Sequence, residues 1–263
     1  MAQSSPPTTI CVFCGSSPGL SPAYLAAARS LAHAFHARNI HLVYGGGTVG
    51  LMGEIARTLV SLSGPDAVHG IIPKALIKYE QAGRPAAGET PVQQQQQQQQ
   101  TASENTETTS QQSVSSQQQV SPPPPQQQQQ QQQQQLPDQT IFGRTTVVSS
   151  MHERKQLMTQ MVLAGGPGSG FIALPGGYGT LEELAEVTTW NQLGIHGAGI
   201  VLFDVEGFWR GLVGWMDHAT AQGFVGEKNR GIVQCAVDAE GCLKELREYR
   251  LSSARFDLDW DEK

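Results

Sequence analysis

Val43-Tyr-Gly-Gly-Gly-Thr-Val-Gly-Leu-Met-Gly53 and Leu174-Pro-Gly-Gly-Tyr-Gly-Thr-Leu-Glu-Glu183 decide the reading of this chain. Each begins in an apolar run that reads as a strand, passes through glycines and opens a helical pattern. A strand that turns into a helix in this way leaves backbone N–H groups free at the positive end of the helix dipole, where an anion is stabilised. Two such turns point to a phosphorylated ligand. The acidic pair Glu182-Glu183, just inside the second helix, adds a group able to do chemistry.

Working outward, the same unit repeats. Strands are expected at 10–14, 40–44, 67–72, 145–148, 171–174, 199–203 and 232–236. Helices are expected at 21–38, 50–62, 151–164, 180–193, 208–222 and 240–249, with a short helical turn over 73–80. Ser21 and Pro22 supply an N-cap and a first-turn proline. Strands alternating with helices predict an α/β fold: a doubly wound, Rossmann-like, mostly parallel sheet of about seven strands with helices on both faces. Ligands of such sheets sit at the strand carboxyl ends, where both glycine turns fall. The helix after the second turn is apolar on two sides, with Leu181, Leu184, Ala185 and Thr188 on one stripe and Val187, Trp190 and Leu193 outside it. Such a helix needs two partners, the sheet and either more core or a second subunit.

Residues 83–137 do not fit this pattern. They are Gln, Ser, Thr and Pro, with glutamine runs at 93–100 and 126–135. So little is apolar that burial cannot offset the entropy of ordering, and a disordered insert is expected. The remainder, 1–82 and 138–263, is expected to form one domain. A net charge of −6 and a pI near 5.6 argue against a nucleic-acid or membrane-surface binder. No run of apolar residues is long enough to span a bilayer, and Met1-Ala-Gln-Ser-Ser-Pro-Pro lacks the basic and apolar regions of a signal peptide, so the expected location is cytoplasmic. Cys11 and Cys14 form a C-x-x-C, but they lie in an apolar strand and no second pair completes a zinc site. Free thiols and no bound metal are expected.

Gly45, Gly47 and Gly50 also match the G-x-G-x-x-G of dinucleotide folds. The acidic residue that should end the following strand is missing, since Asp66 precedes that strand and Pro73 ends it. A dinucleotide site and a purely structural glycine turn both stay open as alternatives.

Taken together, GGGTVGLMG and PGGYGTLEE resemble the LONELY GUY family of cytokinin-activating phosphoribohydrolases, some relatives of which carry the label lysine decarboxylase. Val12-Phe-Cys-Gly-Ser-Ser17, Met151-His-Glu-Arg-Lys155 and Thr188-Thr-Trp-Asn-Gln-Leu-Gly-Ile-His196 follow in register, and 73–80 resembles a segment with a substrate-contacting acid. The glutamine-rich insert is not a feature of the family, and 165–170 lengthens the link to the second glycine turn. The resemblance implies hydrolysis of the N-glycosidic bond of N6-substituted adenosine 5′-monophosphates by a homodimer without cofactor. It assigns Glu183 and Arg154 as catalytic. Gly46, Gly47, Thr48, Glu80, Lys155, Gly177, Tyr178, Gly179, Thr180 and Thr189 become substrate or phosphate contacts.

The residue types suit that chemistry. Cleaving the bond puts positive charge on the ribose, which a carboxylate stabilises while orienting water. A guanidinium grips phosphate or ribose oxygens in a fixed fork. The competing readings are a first-turn glutamate favoured by the helix dipole, a solvated basic helix start, and a nucleotide-carrying module that does not turn over. A decarboxylase would need a pyridoxal-phosphate lysine, and Lys74 and Lys155 are the lysines near motifs.

Overall fold

The computed structural model describes residues 5–77, 136–258 and 260. Most of the insert and Glu80 lie outside the described residues.

Seven parallel strands make one sheet. In chain order they are β1 (Thr9–Phe13), β2 (His41–Tyr44), β3 (Val68–Pro73), β4 (Arg144–Val148), β5 (Gly170–Ala173), β6 (Gly199–Phe203) and β7 (Val233–Ala236). Their spatial order is β4-β3-β2-β1-β5-β6-β7. The chain therefore winds one way from β1 to β4, then crosses to the other side of β1 and winds back. The order reverses between β1 and β5, where Cys11 lies beside Phe171 and Phe13 beside Ala173. A crevice opens at the carboxyl ends of such a strand pair, because the two following loops leave in opposite directions.

Among the described residues the α-helices are α1 (Pro22–His36), α2 (Gly50–Ser63), α3 (Gln139–Phe142), α4 (Met151–Leu163), α5 (Tyr178–Gln192), α6 (Arg210–Ala221) and α7 (Ala239–Glu248). Strand side chains alternate in direction, so each strand feeds two cores. Ile10, Val12, Leu42, Ile172 and Val201 pack with Leu31, Phe35, Ile55 and Leu243 of α1, α2 and α7. Cys11, Phe13, Val43, Phe171 and Ile200 pack with Met158, Leu184 and Val187 of α4 and α5. Cover on both faces explains why β1, β5 and β6 are buried throughout. The C-x-x-C cysteines point to opposite cores and carry no disulfide, as small apolar side chains would.

The expected elements appear with ends moved by one to three residues, and the short helix α3 is added. At the far end of α5 the C-terminal tail folds back. The Phe256 N–H donates to the Gln192 carbonyl at 2.9 Å, Arg255 Nη2 to the Gly194 carbonyl at 2.9 Å, and Trp260 Nε1 to the Leu193 carbonyl at 3.2 Å. No described helix is long and apolar enough to cross a membrane.

Candidate active site

Three loops meet at the switch point. The Gly15 N–H donates to the Pro175 carbonyl at 3.0 Å, and the Gly15 carbonyl accepts the Leu51 and Met52 N–H groups at 3.1 and 3.4 Å. The loop after β1 thus ties the two glycine turns together. Gly50 makes this approach possible. Its φ is +60°, and a Cβ there would lie 2.4 Å from the Ser16 and Ser17 backbone.

The two helix starts are not equivalent. The Leu51 and Met52 amides of α2 already have an acceptor. At α5, Gly177 offers no side-chain cap, and a Cβ at Gly177 or Gly179 would meet nothing within 4 Å. The open anion site expected at both turns is therefore clearest at α5. Thr180 is buried behind the loop with its hydroxyl against Gly176, and Tyr178 stands 93% exposed at its tip.

Arg154 comes from α4. Its helix start is set by Ser150, whose hydroxyl accepts the Glu153 N–H at 3.2 Å, while Glu153 Oε2 accepts the Ser149 N–H at 2.7 Å. This reciprocal capping fixes the first turn, so the next side chain leaves toward the sheet. Arg154 Nη2 donates to Glu183 Oε1 at 2.9 Å, with both side chains about nine-tenths buried. The guanidinium lies on Gly45, where a Cβ would sit 2.2 Å from Nη2, so the first glycine of the triplet makes room for arginine. Arg154 Nε is buried without an acceptor among the described residues. Burial raises the Glu183 pKa, and Arg154 opposes that rise.

The neighbouring charges take another direction. Glu182 lies about 100° around the helix from Glu183. Lys155 Nζ bridges Glu182 at 2.5 Å and Glu186 at 3.1 Å. Burial alone would lower the lysine pKa, but the two carboxylates outweigh it and the net shift is upward. Lys155, expected as a substrate contact, stands here in an ion triad with these two acids.

Thr189 is also displaced from the glycine loops. Its hydroxyl donates to the Ala185 carbonyl at 2.9 Å, and its side chain lines a largely apolar groove of about 550 Å³ between α5 and α6. Leu181, Ala185 and Thr188 line the same groove, so they form the second face of α5. The sheet face carries Glu183, Leu184, Val187 and Asn191. Among the described residues no group of three or more His, Cys, Asp or Glu side chains forms a metal site.

Residues 52–246 match the protein family described as possible lysine decarboxylase. A cytokinin riboside 5′-monophosphate phosphoribohydrolase of Arabidopsis thaliana is 38% identical over 240 residues, covering 91% of this chain and 83% of that protein. This chain belongs to the LONELY GUY family. A bifunctional cytokinin biosynthesis protein of Fusarium pseudograminearum is 43% identical over 256 residues, and the chain spans 97% of itself and 43% of that protein. Among solved structures, a molybdenum-cofactor carrier protein of Chlamydomonas reinhardtii aligns over 92% of the chain at 14% identity with a TM-score of 0.49. Two features that the sequence reading passed over are explained at this family's site. Ser150-x-x-Glu153 has the spacing of a capping box and was detectable. The reason for Gly45 was not, because it depends on an arginine more than a hundred positions away.

Proposed function

We propose that the protein hydrolyses the N-glycosidic bond of N6-substituted adenosine 5′-monophosphates, releasing a free cytokinin base and ribose 5-phosphate. The observation that carries this reading is the buried Arg154–Glu183 pair, 2.9 Å apart, at the crevice where α5 presents an uncapped start. The 5′-phosphate sits on the backbone N–H groups of Gly177, Tyr178, Gly179 and Thr180, where the helix dipole and the free donors act together. Gly46, Gly47 and Thr48 close the other wall. Arg154 has donors to spare beyond Glu183 and holds ribose or phosphate oxygens, so the sugar is oriented before the bond breaks. As the C1′–N9 bond lengthens, positive charge grows on the ribose. The Glu183 carboxylate stabilises that charge and orients or deprotonates the attacking water.

The pair is matched to this task. Burial disfavours the free carboxylate, so an approaching cationic sugar gains more from it than it would in water. Glu80 is assigned to the ribose hydroxyls. The groove between α5 and α6 is assigned to a second copy of the chain, with Trp215, 61% exposed, at its wall and Thr189 at the joint. On this reading the enzyme is a cytoplasmic homodimer without cofactor, and residues 83–137 are a disordered insert.

The test is incubation with isopentenyladenosine monophosphate and with AMP, detecting released base by chromatography. Base release from the former supports the assignment. Tight binding without release from either would make the chain a nucleotide carrier. Light scattering of Trp215→Glu reads the dimer, which this change should split.

A further inference from the structure

We propose that Lys155 is a positioning residue: by bridging Glu182 and Glu186 it holds the starts of α4 and α5 together, so that Arg154 meets Glu183, and it balances the two acids that flank that glutamate. This inference rests on the phosphoribohydrolase reading for its kinetic consequences. Its structural basis is independent.

The geometry is that of a clamp. Arg154 and Lys155 are consecutive on α4, about 100° apart around the helix. Glu182 and Glu186 are one turn apart on α5 and share a face. Three ion pairs therefore join the same two helices, Arg154–Glu183 inside and Lys155–Glu182 and Lys155–Glu186 outside. The Lys155 side chain is 12% exposed and Glu186 21%, so that arm of the outer joint is largely shielded and is worth more than a surface pair, while Glu182, 52% exposed, closes its solvent side. Without it, α4 and α5 are free to slide, and the distance that the slide would change is the one between the catalytic groups.

The charge arrangement works in the same direction. The charged groups acting on Glu183 are Arg154 and Lys155 from α4 and Glu182 and Glu186 from α5, and the Cys11 thiol of β1 also neighbours it. Two like charges stand on the glutamate's own helix. Lys155 answers both with one side chain. A lysine occupied in this way is not a phosphate ligand, although it follows Arg154 in the motif.

The experiment compares Lys155→Met, Lys155→Arg and the double change Glu182→Gln/Glu186→Gln. For Lys155→Met, kcat should fall by about tenfold to a hundredfold, the scale expected when a catalytic group is misplaced, with little change in KM. Lys155→Arg should restore most of the loss. The double change should lower kcat by a similar order while releasing the lysine. A second readout needs no turnover: carboxyl-carbon NMR titration of Glu183, assigned by the signal missing in Glu183→Gln. Its titration should move upward in Lys155→Met and downward in the double variant. A raised KM with unchanged kcat and unchanged titration in Lys155→Met would make it a substrate ligand and overturn the inference. So would a lowered KM with unchanged kcat in the double variant. If the wild-type protein releases no base at all, the functional reading fails, and the titration still decides the role of Lys155.

Discussion

Exchanging each of the two adjacent glutamates for glutamine separates catalysis from packing. Glu183→Gln keeps the shape of the side chain and an oxygen for Arg154 Nη2 to reach, now 2.9 Å away. Breaking a buried ion pair by removing one partner costs about 3–5 kcal/mol, because a charge is left without compensation. Here the loss is smaller, since glutamine still accepts a hydrogen bond and the carboxylate no longer has to be desolvated. A cost of about 1–3 kcal/mol in stability follows. Turnover should suffer more: losing the charge opposite the cationic ribose lowers kcat by on the order of a hundredfold, or about 2.7 kcal/mol of barrier. Glu182→Gln removes one contact of an acid whose side chain is 52% exposed, and Glu186 still holds Lys155. Its effect on stability should stay below about 1 kcal/mol. The assays are urea unfolding and chromatographic base release on both variants. Folded Glu182→Gln without activity beside active Glu183→Gln would show the motif register to be wrong by one residue.

Other outcomes follow from the same structure. His196 is buried, donates from Nε2 to the Val187 carbonyl, accepts the Ala198 N–H at Nδ1 and has its pKa lowered to about 4, chiefly by burial. The unfolded chain binds this proton first, so stability present above the ordinary value of 6.5 should fall by about 3 kcal/mol as pH drops to 4. His196→Gln should flatten that part of the pH dependence in urea titrations, and an unchanged slope would contradict the assignment. Gly50→Ala places a Cβ against the Ser16–Ser17 backbone at positive φ and should cost at least about 1–2 kcal/mol in thermal unfolding, with lost turnover. Deleting residues 93–135 should leave unfolding and turnover nearly unchanged, because their composition offers no core and both glycine turns lie outside them in the sequence. The 5′-monophosphate should react much faster than the riboside or the triphosphate, and equal rates for riboside and monophosphate would remove the phosphate role of the α5 start.

The fold was legible because its strands are short apolar runs separated by well-marked helices. Ser21 and Pro22 cap α1 as read, with the Ala23 N–H on Ser21 Oγ at 3.2 Å. Strand order was less accessible, since nothing local says that β5 pairs with β1 rather than β4. At the site, the two residues with a distinctive local setting, Arg154 after a helix start and Glu183 after a glycine turn, are brought together by the fold. What escaped depends on distant partners. The Gly15 carbonyl occupies two α2 amides that looked free in sequence. The acidic partners of Lys155 lie on another helix, so its motif does not announce them. Thr189 was assigned by motif register alone, and its face of α5 is visible only once α6 packs beside it.

The tail that returns to α5 has a practical consequence for anyone choosing where to end a gene. The match to the family stops at residue 246, and every assigned site residue lies before that point. A fragment cut there would look complete on paper. It would lack Arg255, Phe256 and Trp260, which finish the carbonyl end of the helix whose other end holds the glycine turn and Glu183. Fraying would then begin about 14 Å from Glu183, at 1.5 Å per residue along α5. An experimenter would record a weak enzyme and suspect the chemistry, when the fault was a missing hem.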